Sequence, residues 1–364
     1  MEELLVRART VLANLPQFCA HKVLSSENLA GDASARCYVR LNLSAGTPSS
    51  VILMILAAGS GPIAAGDTAL SQSDSFVLLN HELREASLPV PQIYYDGRTE
   101  GFLLIEDIGD LQLWRIALQE LTPQQAELVR HTFSADPVER SFRCAIDLLG
   151  RLRSLPAECA AVAGRRHLSF EQYRIEAQRF IDLCLLPRAY TPAKLGAVES
   201  MLNDLCRSID AHPRVPCYRD FMAWNIMLDT SGQLRLLDYQ DMLSASQAYD
   251  AASLLNDRDT DQALGARRWL SLLQYARATL GAQADFERQF LECSLQRDLR
   301  LAGQFWNLSR LRGKLQYEKW VPGCLRRIGR VMAELGRWPE LLKDLSEFSP
   351  EIKAGASAPW LFSR

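Results

Sequence analysis

The sequence predicts an α+β protein of two lobes: a small N-terminal lobe built on an antiparallel sheet and a large, mainly helical C-terminal lobe. Three observations carry this. Strand-like apolar runs crowd into the first 106 residues, helical periodicity dominates after Glu106, and one short hairpin at 225–237 interrupts the helices. The boundary falls at Glu106, giving lobes of residues 1–106 and 107–364.

The elements follow in order. Leu4, Leu5, Ala8, Val11, Leu12 and Leu15 make a helical stripe. Cys37, Val39, Leu41 and Leu43 alternate with Tyr38, Arg40 and Asn42, the pattern of a half-buried strand. Val51–Leu56 is continuously apolar, as in a strand covered on both faces. Residues 57–72 (AAGSGPIAAGDTALSQ) are small and rich in Gly and Pro, so they read as a loop. Ser73–Ala86 reads as a helix. Val90–Tyr95 and Gly101–Ile105 read as strands around the turn Asp96-Gly97-Arg98-Thr99. Past a connector at 106–110 the exception to helix is Asn225–Leu228 and Leu234–Leu237, joined by the turn Asp229-Thr230-Ser231-Gly232.

Composition excludes several classes. The 364 residues are 48% hydrophobic and 23% charged, an ordinary globular mixture able to bury a sizeable core. A net charge of −2 gives no overall attraction for nucleic acid or an anionic membrane. The nine cysteines are odd in number, widely spaced and without a CxxC pair, which argues for free thiols in a reducing compartment. The N-terminal MEELLVRARTVLANL mixes charge with leucine and lacks a signal peptide's apolar core. No stretch of 18 apolar residues occurs. These features lead us to expect a cytoplasmic monomer with no membrane or nucleic-acid partner.

The segment CYRDFMAWNIMLDTSGQLRLLDYQDMLSASQAYDAASLL (217–255) is the informative one. Asp220 is followed five residues on by Asn225, and after the hairpin by Asp238. These types match the needs of phosphoryl transfer. One carboxylate orients a hydroxyl and accepts its proton, while an amide oxygen and a second carboxylate are hard ligands for a metal ion on phosphates. A lone D-x-x-x-x-N recurs by chance, and turn capping is the rival reading for each aspartate. The full series is far more specific.

YRDFMAWN resembles the H-x-D-x-x-x-x-N catalytic loop of the aminoglycoside phosphotransferase and choline kinase superfamily, LLDYQD its metal-binding D-x-x-D, and YDAASLL its bracing helix. The branch that phosphorylates N-acetylmuramate and N-acetylglucosamine at the anomeric carbon is similar at GDASARCYVRL (31–41), VPQIYYDGRTEGFLLIEDIGD (90–110), Asn256-Asp257-Arg258 and QRDLRLAGQFWNLSRLRGKLQY (296–317). The resemblance implies a protein-kinase-like fold, with ATP and Mg2+ at an N-terminal nucleotide-binding lobe and the acceptor at the C-terminal lobe. It implies Asp220 as catalytic base, Asn225 and Asp238 as magnesium ligands, Asp241 at the metal and acceptor edge, and Asp250 as a brace. The backbone of Glu106–Ile108 would bond adenine, and Glu176 would face the sugar. Large aromatics such as Trp224, Phe305 and Trp306 are read as core before stacking platform.

Two positions depart from the pattern. Tyr218 stands where the family has His, and Met54 where kinases carry a phosphate-binding Lys. Ser34 and Arg36, with Arg40 in reserve, are the candidates to hold phosphate in its place. Aminoglycosides and amino alcohols stay open as acceptors, as does a nucleotide-binding pseudokinase without turnover.

Overall fold

The computed structural model describes residues 2–29, 36–44, 46–56, 71–155, 165–188, 190–258, 260–281 and 285–358. Helix α1 (Glu2–Asn14) covers one face of a five-stranded antiparallel sheet of order β1-β2-β3-β5-β4. Its strands are β1 (Val23–Leu29), β2 (Cys37–Leu43), β3 (Ser50–Ile55), β4 (Ile93–Gly97) and β5 (Phe102–Glu106). Strand alternation sorts the two faces. Val39, Leu41, Val51, Leu53, Phe102 and Leu104 pack with Ala8, Leu12 and Phe18. Ile52, Met54, Leu103 and Ile105 point the other way, toward Phe76, Leu79 and Leu83 of helix α2 (Gln72–Glu85). This explains the unbroken apolar run of β3, whose fully buried side chains each contribute about 1.5–3 kcal/mol.

Strand β1 is the element that apolar patterning did not signal. VLSSENL is exposed along most of its length. It is an edge strand held by its ladder to β2, from Val23↔Leu43 to Leu29↔Tyr38. The strand expected at 90–95 begins only at Ile93. Pro89 and Pro91, which lack amide donors, precede it. Helix α2 begins where Ser71 and Asp74 form a capping box. The expected Gly31–Ser34 turn lies outside the described residues, as does most of the 57–72 loop.

The large lobe continues with α3 (Leu113–Leu118), α4 (Pro123–Thr132), α5 (Pro137–Arg153), α6 (Phe170–Phe180) and α7 (Pro192–Asp210). Four short strands follow: β6 (Arg214–Cys217), β7 (Ile226–Leu228), β8 (Leu234–Leu236) and β9 (Leu243–Ser246). β7 pairs with β8, the expected hairpin, and β6 pairs with β9 outside it. Two ladders therefore hold both ends of segments 218–225 and 237–242. Then come α8 (Tyr249–Leu255), α9 (Thr260–Thr279), α10 (Phe286–Trp306), α11 (Val321–Leu335), α12 (Pro339–Phe348) and α13 (Pro350–Ala356). Helix α10 is buried along most of its length. At Gly303 it presses on α6, where a Cβ would lie 2.5 Å from the Arg179 carbonyl carbon. One apolar core runs from Ile52 and Met54 through to Ile352.

Candidate active site

The loop after β6 is fixed by its own backbone bonds. The Asp250 carboxylate accepts the amides of Tyr218 at 2.6 Å and Arg219 at 3.0 Å. Burial pushes Asp250 up to about 6, against the pull of those two bonds. They hold Arg219 at a left-handed φ of 75°, a strained backbone for a non-glycine residue. Asn225 Nδ2 donates to the Asp220 carbonyl at 2.9 Å, which leaves Asn225 Oδ1 available as an acceptor. The Tyr218 hydroxyl donates to the carbonyl of Leu237. Tyr218 thereby ties the Asp220 loop to the residue before Asp238. Asp238 has φ 67° and accepts Gln240 Nε2 at 2.7 Å.

The charges divide into two poles. Burial raises the Asp220 carboxyl, but Arg300, Arg219 and Arg297 outweigh it and hold the group below the usual carboxylate range. Arg300 NH2 lies 3.6 Å from Asp220 Oδ1. Glu176, on α6, is likewise held low against burial by Arg300 and Arg219, and it meets Arg219 NH2 at 3.1 Å. At the other pole Asp238 and Asp241 are raised. Burial is the main cause for both, and the crowding of carboxylates adds to it.

That second pole suits a divalent cation. Asp241 Oδ1 is buried without a hydrogen-bond partner, and a cation would relieve the mutual repulsion of Asp220, Asp238 and Asp241. Among the described residues no three Asp, Glu, His or Cys side chains converge as a self-sufficient metal site. An Asn oxygen, an Asp carboxylate and substrate phosphates are the mixed oxygen set that Mg2+ takes.

At the connector, the Glu106 amide already donates to Gln92 O at 2.8 Å, and its carboxylate binds Arg235 at 2.6 Å. What Glu106 can offer an adenine edge is therefore its carbonyl. Ile108 is buried, and its amide donates to no described residue. The expected reserve phosphate ligand, Arg40, is committed elsewhere. It pairs with Asp107 at 2.6 Å and Asp110 at 2.8 Å, clamping β2 to the connector. Arg36 donates to Gln72 O at 3.3 Å and lies over the Phe76 ring at 5.6 Å. Its charge acts on Asp238 and Asp241. Ser34 lies outside the described residues. Met54 is fully buried and faces Tyr38 across the ladder.

The sequence shows an arginine cluster from Arg297 to Arg312, for which solvated helix faces are the expected use and an anionic ligand the rival one, but it assigns no site role to Arg219, Arg297 or Arg300. Arg219 sits inside the quoted loop, and Arg297 and Arg300 lie three apart on α10. Two cations on one face of a buried helix were the signal available. Trp224 stacks on Trp114 at 5.5 Å and meets Trp320 edge-on at 5.9 Å. The Arg258 guanidinium lies 4.5 Å from Trp224 and 4.9 Å from Trp320, so this aromatic cluster is already filled by a cation.

A loop carboxylate, a loop amide and a hairpin carboxylate below an antiparallel sheet define a two-lobed, kinase-like phosphotransferase. The chain belongs to the phosphotransferase enzyme family (APH), whose model matches residues 27–284. It is 28% identical over 289 residues to an N-acetylmuramate/N-acetylglucosamine kinase of Pseudomonas putida, covering 78% of this chain and 79% of that one. Among solved structures, a choline/ethanolamine kinase family protein from Mesorhizobium loti superposes with a TM-score of 0.55 at 15% identity, over 97% of this chain and 99% of its own. The GDP complex of aminoglycoside 2'-phosphotransferase-IIIa gives a TM-score of 0.55 at 13% identity, over 90% and 98%. Among the described residues, no helix is long and apolar enough to cross a membrane.

Proposed function

We propose that the chain transfers the γ-phosphoryl group of ATP to the anomeric hydroxyl of N-acetylmuramate or N-acetylglucosamine. In this reading residues 1–106 form the nucleotide lobe and 107–364 the catalytic and acceptor lobe. Asp220 orients the acceptor hydroxyl and takes its proton. Asn225, Asp238 and the edge of Asp241 hold Mg2+, which supplies positive charge to the phosphate oxygens when bound. The Glu106 carbonyl and Ile108 amide meet adenine, Arg36 and Ser34 meet phosphate, and Glu176 faces the sugar.

One observation carries the choice of acceptor: three guanidiniums act on Asp220. They make it a weak base. A hemiacetal hydroxyl is more acidic than an ordinary alcohol, so it suits such a base. The same guanidiniums repel a polycationic aminoglycoside, and the aromatic cluster of Trp224 and Trp320 is already occupied by Arg258, so it offers no free cation-binding face to an amino alcohol. The P. putida kinase named above favours the same class of acceptor.

The test is ATP turnover against amino sugars, amino alcohols and aminoglycosides, with the product examined by phosphorus NMR. An acid-labile phosphate coupled to H1 is expected. Asp220→Asn should keep ATP binding and lose roughly 10²–10⁴ in kcat, the range for general acid–base contributions. Turnover confined to cationic acceptors would overturn the sugar reading. ATP binding without turnover on any acceptor would make the chain a pseudokinase.

A further inference from the structure

We propose that Arg300 determines acceptor specificity by binding a carboxylate on the sugar, so that the acidic amino sugar is preferred over the neutral one. The inference rests on the amino-sugar reading above and narrows it.

Arg300 is a guanidinium held, among the described residues, only in two long ion pairs. Its side chain is only 14% exposed. Its nearest anions are Asp220 Oδ1 at 3.6 Å and Glu176 Oε2 at 3.8 Å, both too far for good hydrogen bonds. Nε is buried and unbonded. Arginine carries five N–H donors in a planar fork, and leaving such donors unmet in a buried place is unfavourable. A carboxylate fits that fork with two parallel bonds.

The surroundings point the same way. Arg297, fully buried, has Nε and one terminal nitrogen without partners, and its other terminal nitrogen donates to the Arg219 carbonyl at 3.3 Å. Arg219 Nε is unbonded as well. On this side of the site Arg219, Arg297 and Arg300 gather around Glu176 and Asp220, with Asp241 4.0 Å from Arg219 NH1. The guanidiniums placed to act on the metal pole are others, Arg36, anchored at Gln72 and Phe76, and Arg219, 4.0 Å from Asp241 Oδ2. Arg300 instead extends from α10 to Glu176 and Asp220, the groups that border the acceptor hydroxyl. An anion held there belongs to the acceptor rather than to the nucleotide.

The experiment compares three acceptors, N-acetylglucosamine, N-acetylmuramate and the methyl ester of N-acetylmuramate, on wild type, Arg300→Gln and Arg300→Lys. Wild type should turn over the acid at least tenfold better in kcat/KM than the ester, which keeps the shape and loses the charge. Arg300→Gln should abolish that preference, read as the ratio of acid to ester kcat/KM so that any change at Asp220 common to all acceptors cancels, and Arg300→Lys should restore part of it. The KM for ATP should stay constant throughout, which separates a carboxylate anchor from a phosphoryl contact. Equal losses on all three acceptors would mean that Arg300 only positions Asp220, and would overturn the proposal. A rise in the ATP KM shared by all acceptors would assign the guanidinium to phosphate and overturn it too. If wild type phosphorylates neither sugar, the amino-sugar reading itself has failed. If both sugars react without discrimination, that reading stands and this inference alone falls.

Discussion

Met54 removes a positive charge that kinases place against the α- and β-phosphates. Its thioether is buried in the face that β3 shares with α2, so nothing at this position can meet an anion. Of the two arginines that the hairpin offered, Arg40 is engaged by Asp107 and Asp110. Arg36 is left as the residue whose charge acts on Asp238 and Asp241. Arg36→Ala should therefore raise the KM for ATP and lower kcat/KM by about 1.5–3 kcal/mol, the scale of a hydrogen bond to a charged group. Arg36→Lys should recover part of this, since a point charge replaces a fork. ATP kinetics unchanged in Arg36→Ala would leave the phosphates to the metal and to backbone amides. Tyr218, where the resembling loop has His, makes a bond of its own across the site. A longer side chain with one hydroxyl still reaches the Leu237 carbonyl.

Elements were legible in the sequence in proportion to how much apolar surface they bury. β3, α2 and the β7–β8 hairpin announced themselves through their side chains. β1 did not, because its partners are backbone groups. Likewise Asp220, Asn225 and Asp238 were readable from spacing, whereas Arg300 was not, since what brings it to Asp220 is the packing of α10 on α6 at Gly303. Another contact invisible to sequence joins α7 to α10. Glu292 is fully buried and accepts from His212 Nε2 and Ser208 Oγ, each at 2.8 Å, with Arg288 and Arg337 also paired to it. Burial raises its carboxyl, but the His212 and Ser208 bonds and the Arg288 charge bring it below the usual range. A carboxyl depressed in the folded state contributes stability above its unfolded value, near 4.3, and loses it as pH falls through the folded value. Glu292→Gln should be about 3–5 kcal/mol less stable at neutral pH, the scale for breaking a buried pair. The gap to wild type should begin to narrow as pH falls below about 4.3 and be smallest below the lowered folded value. Urea unfolding across a pH series checks this, and a gap independent of pH would show that Glu292 is not the titrating group.

At the scale of the molecule, the sheet lobe and the helical lobe meet at the metal pole. Tyr239, beside Asp238, stacks on Phe76 of α2 at 4.7 Å, and its hydroxyl bonds Asn80. Arg235 of β8 binds Glu106 at the connector. A ligand held at Asp238 therefore touches the hairpin that both lobes grip, and should stabilise the whole chain by mass action, about 2.7 kcal/mol at a hundredfold excess over its Kd. Without ligand the same place is a liability. Burial together with neighbouring Asp220 and Asp241 raises the Asp238 carboxyl, which means that the folded state disfavours its ionised form at neutral pH. Asp238→Ala removes that repulsion. Two effects follow from one substitution. The ligand-free variant should unfold close to wild type, because the loss of a crowded carboxylate offsets the cost of alanine at the left-handed φ of 67° and of the lost Gln240 bond. It should also lose turnover and the part of the ATP-induced thermal shift that depends on Mg2+, while keeping the part seen with metal-free ATP, because a hard oxygen ligand is gone. Thermal unfolding with ATP alone, Mg2+ alone and both together separates the two effects. A ligand-free variant well below wild type, with ATP shifts lost equally with and without Mg2+, would make Asp238 a structural residue of the hairpin instead of a metal ligand.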